Sequence, residues 1–251
     1  MARKRRRIKI VDLIIAVVLL AVVLWAFVPG WGLNLFGKVR SSHDIPILWG
    51  RGYSDNLLDD APTTTFIDAL KALPVAEHEQ QPYSRDKFGP AWSDVDHNGC
   101  DTRNDILARD LTNTTVRPHT QQCVIASGTL LDPYTGKYIH FEKGPRSPEV
   151  QIDHVVALGN AWRTGAAQWN DQQRLEFAND PLNLLAVDGP ANQEKEASSA
   201  EQWLPPNKGY RCAYVARQVA VKTKWNLWVT QAEKDAMADI ALTCPQEPLP
   251  Q

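Results

Sequence analysis

Residues 151–158 read QIDHVVAL, an acid and an imidazole side by side in a run that otherwise favours the interior. Val150, Ile152, Val155, Val156, Ala157 and Leu158 read as a buried strand. Ionisable side chains are rarely left in such a strand without partners. Regular β geometry points Asp153 and His154 to opposite faces, so one site for both needs a strand end or a bulge. The plainer alternative is a structural histidine held by a neighbouring carboxylate.

The stretch NDPLNLLAVDGPANQEKE, residues 179–196, adds a second short strand at 183–187, a turn and a helix. The helix reading extends through ANQEKEASSAEQWL and places Asn192, Lys195 and Glu196 on one face. A carboxylate and an amide oxygen suit a hard cation such as Mg²⁺, which binds few protein groups and keeps several waters. A neutral imidazole nearby, with an ordinary pKa of about 6.5, is suited to taking a proton from water. A lysine would balance phosphate charge.

The chain before this pair sets the compartment. MARKRRRIKI at 1–10 is basic, and residues 11–28 are apolar apart from Asp12. That length approaches the roughly 20 residues that span a bilayer, and the flanking charge predicts a cytoplasmic N-terminus. The bulky exit WAFVPGWGLN favours a retained signal-anchor; a cleaved signal would call for a shorter apolar core and a small-x-small site. Residues 41–251 then hold 19 bases and 28 acids, a net charge of −9, which argues against broad coating of polyanions. Four cysteines, Cys100, Cys123, Cys212 and Cys244, suit an oxidising compartment and form no C-x-x-C pair. They allow three pairings; closing local loops gives Cys100–Cys123 and Cys212–Cys244.

The expected organisation is a juxtamembrane linker at 29–62, one α+β domain at 63–245 and a short C-terminal tail at 246–251. Helices are expected over 63–73, 100–111, 158–164, 170–179, 210–224 and 231–242. QCVIASGTLLDPYTGKYIHF reads as two strands around a turn, and EHEQQPYSRDKFGP as a polar loop. Trp162, Trp169 and Trp203 are expected to pack the helices around the acid–imidazole pair.

The longer motifs DVDHNGCDTRNDILARDL, SGTLLDPYTG, VQIDHVVALGNAWRTGA, FANDPLNLLAV, NQEKEASSAEQWLPP and YRCAYVARQVAVK occur in this order over about residues 92–225. They resemble the ββα-metal, or HNH, nucleases. More narrowly, the chain is similar to exported actinobacterial proteins whose domain is related to the C-terminal part of GmrSD-type restriction endonucleases. The resemblance implies a ββα-metal core with inserted and C-terminal helices, and metal-dependent endonuclease activity on phosphodiester bonds. It makes His154 the general base, Asp153 and Asn192 the ligands of Mg²⁺ or Mn²⁺, Asn183 the residue that orders the loop and orients the base, and Lys195 a contact to the scissile phosphate. Asn192 stands where the motif often has histidine, which disfavours tightly held zinc. Nucleic acid is the implied partner, DNA ahead of RNA, and the membrane the second through residues 11–28.

Two further patterns stand beside this one. Asp94, Asp96, Asn98, Gly99 and Asp105 follow the spacing of a calcium loop, but Asp105 replaces the bidentate glutamate. An Asx-rich turn that caps a helix from Asp101 explains the same residues. Residues 202–232 hold no acid and five bases, Lys208, Arg211, Arg217, Lys222 and Lys224, interleaved with Tyr210, Tyr214 and Trp225. That is either a phosphate track or a solvated helix face; Arg103 is a further candidate for phosphate. A metallopeptidase lacks its H-E-x-x-H set, and a wall-associated structural protein would show neither metal dependence nor polyanion binding. The rival from another class is a non-catalytic exported module that binds nucleic acid or the cell envelope on the same fold.

Overall fold

The computed structural model describes residues 57–59, 61 and 65–251. The basic segment 1–10, the expected signal-anchor 11–28 and most of the expected linker 29–62 lie outside the described residues. Among the described residues, no helix is long and apolar enough to cross a membrane.

Helix α1 (Thr65–Ala72) buries Phe66, Ile67 and Leu70, the stripe that its helical spacing predicts. Helix α2 (Thr102–Asp110) is capped by Asp101, whose side chain accepts from the Asn104 N–H. A three-stranded antiparallel sheet follows, β1 (Thr112–Val116), β2 (Ile125–Leu131) and β3 (Tyr138–Glu142), in the order β1-β2-β3. Strand β1 has no counterpart in the sequence reading. Its residues, TNTTV, are all exposed, so it lies at the sheet edge without the alternation that marks a half-buried strand.

Strand β4 (Val150–His154) pairs antiparallel with β5 (Leu184–Asp188) in unbroken register, from Val150 opposite Asp188 to His154 opposite Leu184. The link between them carries α3 (Leu158–Arg163) and α4 (Asp171–Ala178). Val150, Ile152, Leu184 and Ala186 face a core shared with Ile106, Leu107 and Leu130. Leu185 and Val187 face a larger core with α1 and the C-terminal helices α6 (Arg211–Lys224) and α7 (Gln231–Ala241). Phe88, Trp162 and Phe177 centre a third, aromatic cluster, with Trp169 and Trp225 packed on it. Leu249 of the expected tail also rests on the larger core.

The helix after β5 is shorter than its sequence suggests. Helix α5 (Gly189–Lys195) starts within the expected turn, with Asp188 capping it and Pro190 in its first turn. It ends at Glu196, whose φ of 48° leaves the helical region. Residues 196–204 are therefore turns, not the second half of a long helix. Gly189 is required at the start of α5, because a Cβ there would lie 2.2 Å from the Pro148 carbonyl oxygen.

The disulfides are Cys100–Cys123 and Cys212–Cys244, the local pairing. Cys212–Cys244 ties the first turn of α6 to the segment after α7, across a sequence separation of 32 residues. Chain-entropy reasoning for a loop of that length gives about 2–4 kcal/mol. Replacing both residues by serine should lower stability by that amount in urea unfolding under oxidising conditions; a loss below about 1 kcal/mol would count against the loop-entropy account.

Candidate active site

The side-chain alternation of β4 holds to its last residue, with no bulge. It divides the expected site between two faces. Gln151 and Asp153 face α5, while His154 turns to a cleft on the other side.

On the α5 face, Asp153 is buried and both its oxygens have partners. Tyr134 Oη donates to Oδ2 at 2.5 Å, and Lys195 Nζ donates to Oδ1 at 2.9 Å. Lys195 is fully buried and also donates to the His154 carbonyl oxygen at 2.9 Å. Burial raises the Asp153 pKa against the pull of the Lys195 ammonium. The same burial, with the Asp153 charge beside it, drives the Tyr134 hydroxyl well up, so it remains a donor. Asn192 Nδ2 donates to Gln151 Oε1 at 2.9 Å, which leaves its own oxygen as an acceptor.

These contacts fit a cation only in part. Asn192 offers a hard oxygen, but the positive charge opposite Asp153 is already supplied by Lys195. In this arrangement the Asp153 carboxylate is occupied by Lys195 and Tyr134, and Asn192 is bonded to Gln151. Lys195 is not a surface contact for phosphate: a fully buried ammonium is held there by two acceptors. Among the described residues, no group of three or more His, Cys, Asp or Glu side chains is placed to hold a metal.

On the other face, His154 Nε2 lies 2.8 Å from the Ala178 carbonyl oxygen. A carbonyl only accepts, so Nε2 carries the hydrogen and Nδ1 keeps a lone pair. Burial lowers the His154 pKa to about 3, with Arg85 and Lys195 adding to the effect and the Ala178 bond opposing it. The imidazole is neutral at physiological pH. Its ring lies nearly parallel to that of Trp92, at 12° and 6.2 Å between centroids. Arg85, Phe88, Trp92 and Leu158 line the cleft with it.

Asn183 holds the turn that follows His154. Its side chain accepts from the Val156 N–H at 2.8 Å and donates to the Val156 carbonyl at 3.1 Å; its own carbonyl accepts from the Val155 N–H. This buried amide fixes the backbone of the two residues that follow His154.

The other expected contacts separate. Lys222 is fully buried, donating to Asn160, Trp228 and Glu233, so it lies inside the molecule and not on a phosphate track. Tyr214 is buried too and has no face for a base. Arg211 and Arg217 donate to the carbonyls of Pro205 and Leu182, and Lys224 pairs with Asp180. Lys208 alone of the five is exposed without such a bond. Arg103 is pinned to the Val150 carbonyl. In the calcium-like loop, Asp94 accepts from the Asn98 and Gly99 N–H groups, and Asn98 accepts from that of Cys100. These bonds form the Asx turns that the alternative reading expects.

Sequence reasoning missed Arg85, Trp92, Ala178 and Tyr134. Arg85 opens a short 3₁₀ turn and Trp92 lies in a turn, neither with motif spacing. Ala178 contributes a carbonyl, which no side chain announces. Tyr134 lay in plain view in the DPYTG turn, but nothing local says that its hydroxyl crosses to β4.

In comparisons with known proteins, residues 101–240 match the family model described as GmrSD restriction endonucleases, C-terminal domain. The chain is also 41% identical over 191 residues to an uncharacterized secreted protein of Arthroderma benhamiae, covering 75% of this chain and 88% of the relative. No solved structure matches. The strand pair β4–β5, the helix that follows it and all the residues discussed on them lie within the matched span, and the chain belongs to the family of GmrSD restriction endonuclease C-terminal domains.

Proposed function

We propose that this chain is an exported nuclease of the HNH type that hydrolyses phosphodiester bonds with His154 as general base. One observation carries the reading: the His154 ring is pinned through Nε2–H, which leaves the Nδ1 lone pair without a partner, and the residue lines a small cleft together with a cation. Asn183 fixes the backbone of the two residues that follow His154. With a pKa of about 3 the free imidazole is a weak base. A phosphodiester anion in the cleft favours the imidazolium and brings that pKa up, so basicity rises when substrate is bound. Nδ1 then takes the proton of the attacking water. Export is supported by the basic and apolar opening of the chain, by its two disulfides and by the word secreted in the relative's name.

A divalent cation remains part of the proposal: Asn192 would offer it one oxygen on the α5 face of β4, across the strand from the His154 cleft, and bound there it would polarise phosphate oxygens of a substrate backbone that passes that face. DNA is the favoured substrate because the family is one of restriction endonucleases. The Asp153–Lys195 ion pair favours a second reading, a module that binds nucleic acid without cutting it.

The test is plasmid and single-strand cleavage by the full chain, both disulfides formed, with Mg²⁺, Mn²⁺ or EDTA. Cleavage should stop in EDTA, and Asn192→Ala should raise the metal concentration needed at half rate by about tenfold. Asp153→Asn should lower thermal stability and leave that concentration unchanged. A shift with Asp153→Asn in a folded sample would restore Asp153 as ligand. Binding without cleavage under every metal would support the second reading.

A further inference from the structure

We propose that Arg85 is the phosphate-contacting residue of the His154 cleft, holding the non-bridging oxygens of the phosphodiester that His154 attacks through water. The assignment of the ligand rests on the nuclease reading above; the placement of the cation does not.

Residues 41–251 carry a net charge of −9, yet no acid lines this cleft. Its walls are Arg85, the neutral His154, backbone, an amide and apolar or aromatic side chains. A cleft with one cation and no acid, on an acidic body, complements an anion. Arg85 is exposed and makes no ion pair among the described residues. Other arginines are committed: Arg109 to Asp110, Arg146 to Glu149, Arg174 to Asp171.

The backbone under Arg85 is held in place. The short 3₁₀ turn Arg85–Phe88 buries Phe88 against Trp162 and Phe177, and Arg174 Nε donates to the Lys87 carbonyl at 2.8 Å. Tyr83 lies beside Arg85: burial raises its hydroxyl pKa and the Arg85 charge opposes that rise. A guanidinium so mounted presents a planar fork that matches two phosphate oxygens, which an ammonium cannot do.

Binding of a fluorescent single-stranded oligonucleotide to the full disulfide-bonded chain, followed by anisotropy across a salt series in EDTA, tests this without cleavage. Arg85→Gln should weaken binding by about fivefold or more and reduce the slope of log K against log salt by about 0.7, one phosphate contact on a single strand. Arg85→Lys should recover the slope, while kcat in the cleavage assay stays below wild type because the fork is lost. Wild-type affinity and slope in Arg85→Gln, with an unchanged melting curve, would overturn the proposal, as would absence of any binding by wild type. A wild type that binds but never cuts, with the slope change in Arg85→Gln, refutes the nuclease reading and leaves the Arg85 contact standing.

Discussion

His154→Ala should lower phosphodiester cleavage by about 10²–10⁴-fold, the usual contribution of a positioned general base, while oligonucleotide affinity changes little. The imidazole is held by the Ala178 carbonyl and the Trp92 ring and makes its contribution through Nδ1. The same residue leaves a signature in stability. Its folded pKa is about 3, against an ordinary 6.5, because burial disfavours the charged ring. As pH falls below 6.5 the unfolded chain takes up a proton that the folded chain refuses, and stability declines until about pH 3. At one pKa unit per about 1.4 kcal/mol, the decline attributable to His154 between pH 7 and pH 4 is about 3 kcal/mol. His154→Ala removes it. In urea unfolding the variant should therefore gain on wild type by about that amount over this range. A parallel pH dependence in the two proteins would show that the ring is not held neutral, and an unimpaired cleavage rate would remove His154 as base.

Glu233→Gln should cost about 3–5 kcal/mol, the usual loss when one member of a buried ion pair is removed. Lys222 comes from α6 and Glu233 from the first turn of α7, and neither is exposed. The ammonium has three acceptors, Asn160 Oδ1, the Trp228 carbonyl and Glu233 Oε2, each at 3.0 Å. Burial pulls the Lys222 pKa down and pushes that of Glu233 up, so each charge persists only because the other faces it. Removing the carboxylate charge alone strands an ammonium in the core. Replacing both, as Lys222→Met with Glu233→Leu, should recover most of the loss, since a well-packed apolar pair is often no less stable than the ion pair. Thermal and urea unfolding of both variants checks this; a Glu233→Gln loss below about 1 kcal/mol would mean that water reaches Lys222.

The two predictions fall at different depths of sequence legibility. The strand that carries His154, the strand that follows Asn183 and, to within two residues, the helix boundaries of α1, α2, α6 and α7 were readable from apolar spacing and turn residues. The long helix after β5 was not. Its apolar residues Ala200, Trp203 and Leu204 keep helical spacing, yet they are placed by turns after Glu196 leaves the helix, with Trp203 packed on Tyr134 and Tyr214. Lys222 read as a surface base for a similar reason: helical periodicity places a residue on a face, and only the packing of α7 decides that this face is covered.

The sequence by itself determined the local patterns of this protein: an apolar strand interrupted by Asp153 and His154, a second strand ending at a helix cap, and cysteines whose short spacings match the observed disulfides. These are properties of neighbouring residues, governed by side-chain alternation, capping and loop length. Only the tertiary structure decided what each charged group faces. Asp153 meets Lys195 and Tyr134 because α5 and the turn after β2 converge on one face of β4. His154 meets Arg85, Trp92 and the Ala178 carbonyl because segments distant in sequence close over the other face. Partners of buried charges are chosen by what packs around them, and that choice lies in the fold rather than in the spacing of residues along the chain.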